Sequence, residues 1–270
     1  MQKVKVIKHQ PSALHLTPLH ERLTKLAILI LAVTVFVVSL RMLELDLPRF
    51  MARLSNFPTI ARLFLSVNTA LIPQGLQQLA VSIALGLCGL VVGGALSFIL
   101  AFLAADNTTI CKPLAAVIKG FVSIIRAIPS LVLILMIVAS IGIGYTSGVV
   151  GLTLSSIGYL TKAFISTIEE QDKHVAEALR STGANWFQIL FHGYLPGVIT
   201  GFMAWISIRL ESSVSESISL GVIGAGGIGM LLSRAIRQRN HADITTLILI
   251  IFITMFIMEM LITRFRRKIK

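Results

Sequence analysis

Arg209, Ser212, Ser213 and Glu216 stand three, four and seven positions apart, a spacing that puts side chains on one face of an α-helix. Two hydroxyls flanked by a guanidinium and a carboxylate form a polar stripe. The hydroxyls can hydrogen-bond an oxyanion, and Arg209 supplies positive potential. The same stripe would also serve as a network between subunits, and Glu216 suits an anion route only when protonated or paired. Just beyond it runs "SLGVIGAGGIGMLL", residues 219–232, in which Gly224, Gly226 and Gly229 spell G-x-G-x-x-G. Asp243 follows about twenty positions on, where the ribose partner of a dinucleotide site would stand.

The elements that carry these residues are set by composition. Apolar residues make up 55% of the 270-residue chain and charged residues 13%, with a mean hydropathy of +0.87. A soluble domain of this size cannot hide so much apolar surface. No charge occurs in residues 63–105 or 127–161, and about 20 apolar residues suffice for one helical crossing. The chain reads as an all-α, polytopic membrane protein with about six spans, at 24–45, 75–105, 114–141, 149–168, 194–220 and 244–264. Residues 113–125 can lie at the interface, so that the third crossing starts near "RAIPSL". Pro129, which has no N–H to donate, then belongs at a bend or a helix start. The apolar run Leu26–Leu40 is followed by Arg41, not a small-residue cleavage site, and reads as a retained anchor.

Charge sets the orientation. With both termini in the cytoplasm, sixteen Lys and Arg fall on the cytoplasmic side, including all the lysines and Arg126, and seven fall outside. The positive-inside bias therefore favours cytoplasmic termini in a bacterial inner membrane, and the net charge of +12 needs no nucleic acid to explain it. Gly89/Gly93 and Gly197/Gly201, small residues four apart, should let their helices approach closely.

The span pattern decides the glycine question. A dinucleotide turn needs a strand before it and further βα units after it, yet only 41 residues follow Gly229 and the last span takes about half of them. What remains is a break in helical structure, because Gly221, Gly224, Gly226, Gly227 and Gly229 are too many for a helix interior. Irregular backbone at membrane depth belongs where protein buries it or water lines it. The glycines read as a hinge or gate on the translocation path, with a half-helix from Gly229 turning its amides toward an anion. Tight packing is a compatible role for the same glycines.

Between spans four and five lies "EEQDKHVAEALRSTGANWFQILFHGYLPGV". Val175, Ala178, Leu179 and Thr182 share one helical face, Gly183 suits a helix end, and Asn185 can cap a second short helix, "WFQILF". This pattern resembles the coupling loop of permease subunits in ATP-binding-cassette importers: E-A-A, three residues, Gly, nine residues, I-x-L-P. Glu177, Ala178, Gly183, Leu195 and Pro196 match, whereas Leu179 replaces the third position's alanine and Gly193 the isoleucine. "GAGGIG" before the last span is shared with permeases of methionine and phosphonate importers. The stretch "RLESSVSESISLGVIGAGGIGMLL" looks most like phosphonate and phosphite permeases, and "RAIPSL" resembles that group except at Ser130. The likeness covers roughly residues 75–265.

The resemblance implies the fold of type I importer permeases of the methionine kind. It implies a core over 71–270, after an N-terminal cytoplasmic segment, first span and external linker in 1–70. The coupling loop, about 169–193, would seat Glu177, Ala178, Leu179, Gly183 and Ala184 against an ATPase. Arg209, Ser212, Ser213, Glu216, Gly224, Gly226, Gly227 and Gly229 would line the path or its gate. The implied partners are a second copy, an ATPase dimer, a substrate-binding protein and the bilayer. The implied cargo is a phosphonate or related phosphorus oxyanion. No G-x-x-x-x-G-K-[ST] occurs, so ATP and Mg²⁺ would sit on the partner, and no cofactor or catalysis is expected in this chain. A methionine-type permease is the rival within the class. An ion-coupled transporter could account for Glu216 and Glu259, but it leaves the coupling loop without purpose. Glu259 otherwise reads as paired with Arg264 or Arg266. Neither the six histidines nor Cys88 and Cys111 show ligand or disulfide spacing.

Overall fold

The computed structural model describes residues 19–43, 46–54, 57–172 and 174–269. Lys3, Lys5, Lys8, Lys173 and Lys270, which contribute to the expected orientation, lie outside them. The described residues form helices and turns without a strand. Among the described residues, five helices are long and apolar enough to cross a membrane, and a sixth crossing arises if one bent pair is counted as a span. The six-span expectation corresponds to that count.

Two units divide the chain at Thr59 and Ile60. The first holds α1 (Leu19–Met42) and α2 (Leu47–Leu54); α3 (Phe57–Leu63) runs across the division. α1 is an apolar candidate span with a mean hydropathy of 2.5. Asp46 starts α2 by accepting the Arg49 amide at 3.0 Å. No sequence signal of comparable strength pointed to α2 or α3.

The second unit carries α4 (Ile72–Ala104), α5 (Lys112–Ala127), α6 (Ser130–Ile141) and α7 (Tyr145–Glu169). The short loop helices α8 (His174–Ser181) and α9 (Trp186–Gln188) follow. A π-helical turn, Ile189–Tyr194, leads into α10 (Leu195–Ile223), and α11 (Ile228–Arg237) and α12 (His241–Ile269) complete the chain. Pro129 does what its chemistry requires: α5 and α6 meet at 94° across Ile128 and Pro129. α5 buries Ala115, Ile118, Val122 and Ile125 along one face, as an amphipathic segment should.

Glycine governs how closely α4, α7 and α10 approach. A Cβ on Gly89 would lie 2.5 Å from Leu152 Cβ, and one on Gly93 2.6 Å from Ser156 Cβ. On α10, Gly201 leaves room for Thr167 and Gly197 for Gln171. Between membrane helices there is little hydrophobic gain in association, so this close backbone packing is the main source of adhesion. Both glycine pairs named from the sequence are packing positions. One end of the bundle is filled by Phe102, Phe164 and Phe202, with Phe164 and Phe202 stacked at 4.0 Å.

Candidate functional site

Arg209 occupies the middle of α10 and is 4% exposed. Burying a guanidinium at this depth is costly unless every proton finds an acceptor. Its Nη1 donates to Glu216 Oε1 at 3.0 Å and its Nη2 to Glu216 Oε2 at 2.7 Å, a two-pronged contact across two turns of the same helix. Nε donates to Ser156 Oγ at 3.1 Å and Nη2 to Ser155 Oγ at 3.0 Å, both from α7. The Tyr159 ring lies 5.8 Å from the guanidinium carbon. Glu216 is therefore paired, which answers the objection that it would repel an anion.

The two hydroxyls of the sequence stripe make no bond to Arg209 or Glu216. Ser213 is fully buried toward α4, where a Cβ on Gly86 would lie 3.1 Å from the Ser213 carbonyl. Ser212 Oγ donates to Ile208 O of its own helix at 3.3 Å. The guanidinium reaches along α10 to Glu216 and across to α7, which supplies the hydroxyls. Ser155 and Ser156 were missed because they sit in an apolar span and gain meaning only when α7 packs against α10.

Arg209, Glu216, Ser155 and Tyr159 form one wall of a cavity of about 240 Å³, and the α5–α6 bend, with Arg126, Pro129 and Ser130, forms the other. Arg126, expected among the cytoplasmic-side charges, stands on the wall of this cavity. Its stem passes over Gly158, near the midpoint of α7, where a Cβ would lie 3.4 Å from Arg126 Cγ. The 94° bend that follows it sets Pro129 and Ser130 on the same wall.

The glycine segment is a tight, buried turn. Gly224, Gly226 and Gly227 have φ of +112°, +93° and +73°, values that side chains other than glycine's rarely tolerate. Gly221 and Gly229 bring the backbones of α10 and α11 into direct contact, and Gly226 lies against the Tyr145 ring. The amides expected to face an anion are partly used: Ile228 N–H donates to Ser82 Oγ at 3.1 Å.

In the loop between α7 and α10, α8 ends at Gly183 with φ +81°. Ala184 N–H reaches back to Leu179 O at 3.1 Å. Asn185 and Gln188 make a reciprocal capping box at 2.9 and 2.8 Å. The face turned inward is Ala176 and Leu179, against Gly193; Val175, Ala178 and Thr182, expected to share a face with Leu179, are exposed. Glu177 and Gly183 are exposed as well. Trp186 Nε1 donates to Thr108 O at 2.7 Å, which ties the loop to the α4–α5 connection. That connection meets α5 and α7 through Lys119, 2.6 Å from Asp106 and 2.9 Å from Glu169. Glu259 makes no ion pair with Arg264 or Arg266; it shares a groove with Arg264 and Arg267.

A bundle of candidate membrane helices with one broken span and a capped helix on a loop is the architecture of a multi-pass membrane protein. The chain belongs to the family of binding-protein-dependent transport system inner membrane components, whose model matches residues 97–270. It is 35% identical over 196 residues to the phosphate-import permease protein PhnE of Mycolicibacterium smegmatis, a match covering 72% of this chain and 37% of that protein. To the phosphite transport system permease protein PtxC of Stutzerimonas stutzeri it is 31% identical, over 65% of this chain and 64% of that one. These matches span less than two thirds of either relative's length. The methionine import system permease protein MetP of Bacillus subtilis is more distant, at 28% identity. The inward-facing methionine transporter MetNI shares the fold, with a TM-score of 0.62 over 75% of this chain and 97% of that one, at 23% identity.

Proposed function

We propose that this chain is the membrane-spanning subunit of an ATP-driven importer and forms the translocation path for phosphonates or related small phosphorus oxyanions. It works with a second copy of itself, an ATPase dimer and a substrate-binding protein, in the bacterial inner membrane with both termini cytoplasmic. The observation that carries this reading is the loop helix α8. It is short and capped at Gly183, and Glu177, Ala178 and Gly183 are exposed. Within a region matched by the family model, such a surface is free to seat in another protein.

ATP binding and hydrolysis belong to the partner, and this chain carries out no covalent chemistry. Closure of the ATPases moves the loop as a rigid body, through Glu177, Ala178, Leu179, Gly183 and Ala184. The Trp186–Thr108 and Lys119–Asp106–Glu169 contacts carry that motion to α5 and its bend. The outer gate lies at the turn of Gly224, Gly226, Gly227 and Gly229, and the path runs past Arg209 and Glu216. The phosphorus cargo is supported by the phosphate and phosphite permeases among the relatives. The test is affinity purification of the tagged chain from its native membrane. A stoichiometric nucleotide-binding ATPase is expected; a chain that purifies alone and transports on an ion gradient would overturn the reading.

A further inference from the structure

The cavity behind the α5–α6 bend holds two guanidinium groups and one carboxylate. Arg209 is committed. Four of its five N–H groups are donated to Glu216, Ser155 and Ser156, and Glu216 neutralises its charge. Arg126 makes no ion pair or hydrogen bond with any described residue, so one positive charge is left uncompensated on the cavity wall. Arg126 is exposed, and a cation without a counter-ion on a cavity wall draws anions toward it.

Ser130 and Tyr159 bring hydroxyls to the same space, beside the apolar Ile125 and Leu133, while the Ser155 hydroxyl is donated to Glu216 Oε2 at 3.4 Å. α6 opens at Ser130 with its first backbone bond from Leu133 N to Pro129 O at 3.0 Å, so the amides of Ser130, Leu131 and Val132 take no backbone acceptor. That open helix end borders the cavity and favours negative charge. At about 240 Å³ the space is below the ~300–1,000 Å³ of sites for drug-sized molecules, which suits a small, partly hydrated ion.

We propose that this cavity is an anion station within the membrane, occupied by a small oxyanion in transit. Arg126 is its ligand-touching cation, and the Arg209–Glu216 pair is the positioning element that keeps the opposite wall neutral. The proposal rests on the translocation reading above, and its test is chosen to separate the two.

Ser130→Cys, made in the full chain with Cys88→Ser and Cys111→Ser, places one thiol at the cavity. It is modified in membrane vesicles with methanethiosulfonates of similar size, one bearing a sulfonate and the other a trimethylammonium group. Each rate is divided by that of the same reagent with free 2-mercaptoethanol. The expected result is a preference of about tenfold or more for the anionic reagent, as charged clefts produce. That preference should disappear in Arg126→Gln and be retained in Arg126→Lys. No preference with Arg126 present, or one unchanged by Arg126→Gln, would overturn the proposal. Inorganic phosphite should slow the anionic reagent while methionine should not. A preference that depends on Arg126 but is untouched by phosphite would uphold the anion station and remove the phosphorus cargo.

Discussion

Arg209 and Glu216, two turns apart on α10, meet through both guanidinium nitrogens and both carboxylate oxygens, at 3.0 and 2.7 Å. Arg209 is 4% exposed and Glu216 22%. Removing one member of such a pair leaves a charge buried without compensation, at a cost of about 3–5 kcal/mol. Glu216→Ala should therefore lower the unfolding temperature of the purified complex markedly. The double variant Arg209→Met/Glu216→Leu should recover most of that loss while transport stays abolished. Transport by the double variant would assign the pair to packing alone.

Packing and site are coupled through Gly93. A Cβ there would lie 2.6 Å from Ser156 Cβ and 2.8 Å from Thr153 O, and Ser156 is an acceptor for Arg209. Gly93→Ala should cost about 1–3 kcal/mol as overpacking does, and should also disturb the guanidinium cluster. Gly120 in α5 has no atom within 4 Å of its would-be Cβ. Gly120→Ala should be neutral or gain about 0.5–1 kcal/mol through helix propensity. Thermal unfolding of both variants side by side checks the contrast.

Spans, bend and loop helix were legible because each rests on a local signal: uncharged runs, Pro129, and Gly183 followed by Asn185. The cavity was not, because it is assembled from α5, α6, α7 and α10. Arg126 looked like a boundary charge, and Ser155 and Ser156 looked like ordinary small residues in a span. Ser212 and Ser213 were chosen by helical spacing, which gives a face but not its neighbour. The glycine run revealed a break, whereas its use in bringing α10 onto α11 depends on contacts between residues distant in sequence.

Ser82 serves the turn twice: its Oγ accepts the Ile228 amide at 3.1 Å, and its carbonyl accepts from Ser217 Oγ at 2.7 Å. Ser82→Ala leaves the buried amide unsatisfied, which costs about 1–3 kcal/mol. Hydrogen exchange at Ile228 and its neighbours should accelerate, with the α4–α7 contact unchanged.

Gly183 stands at φ +81° with open space around it. Gly183→Ala meets no clash and pays only for the left-handed backbone, about 1–2 kcal/mol. The loop should loosen locally, seen as faster exchange in α8. Uptake per ATP hydrolysed should fall even where the complex still assembles.

ATP-dependent uptake of labelled phosphite by proteoliposomes holding this chain, its ATPase and its binding protein is the most direct test of the proposed function. Uptake that requires ATP, is abolished in Arg209→Met/Glu216→Leu, and is uncoupled from hydrolysis in Glu177→Ala is the predicted result. Full phosphite uptake by Glu177→Ala, or uptake driven by an ion gradient without ATP, would contradict it.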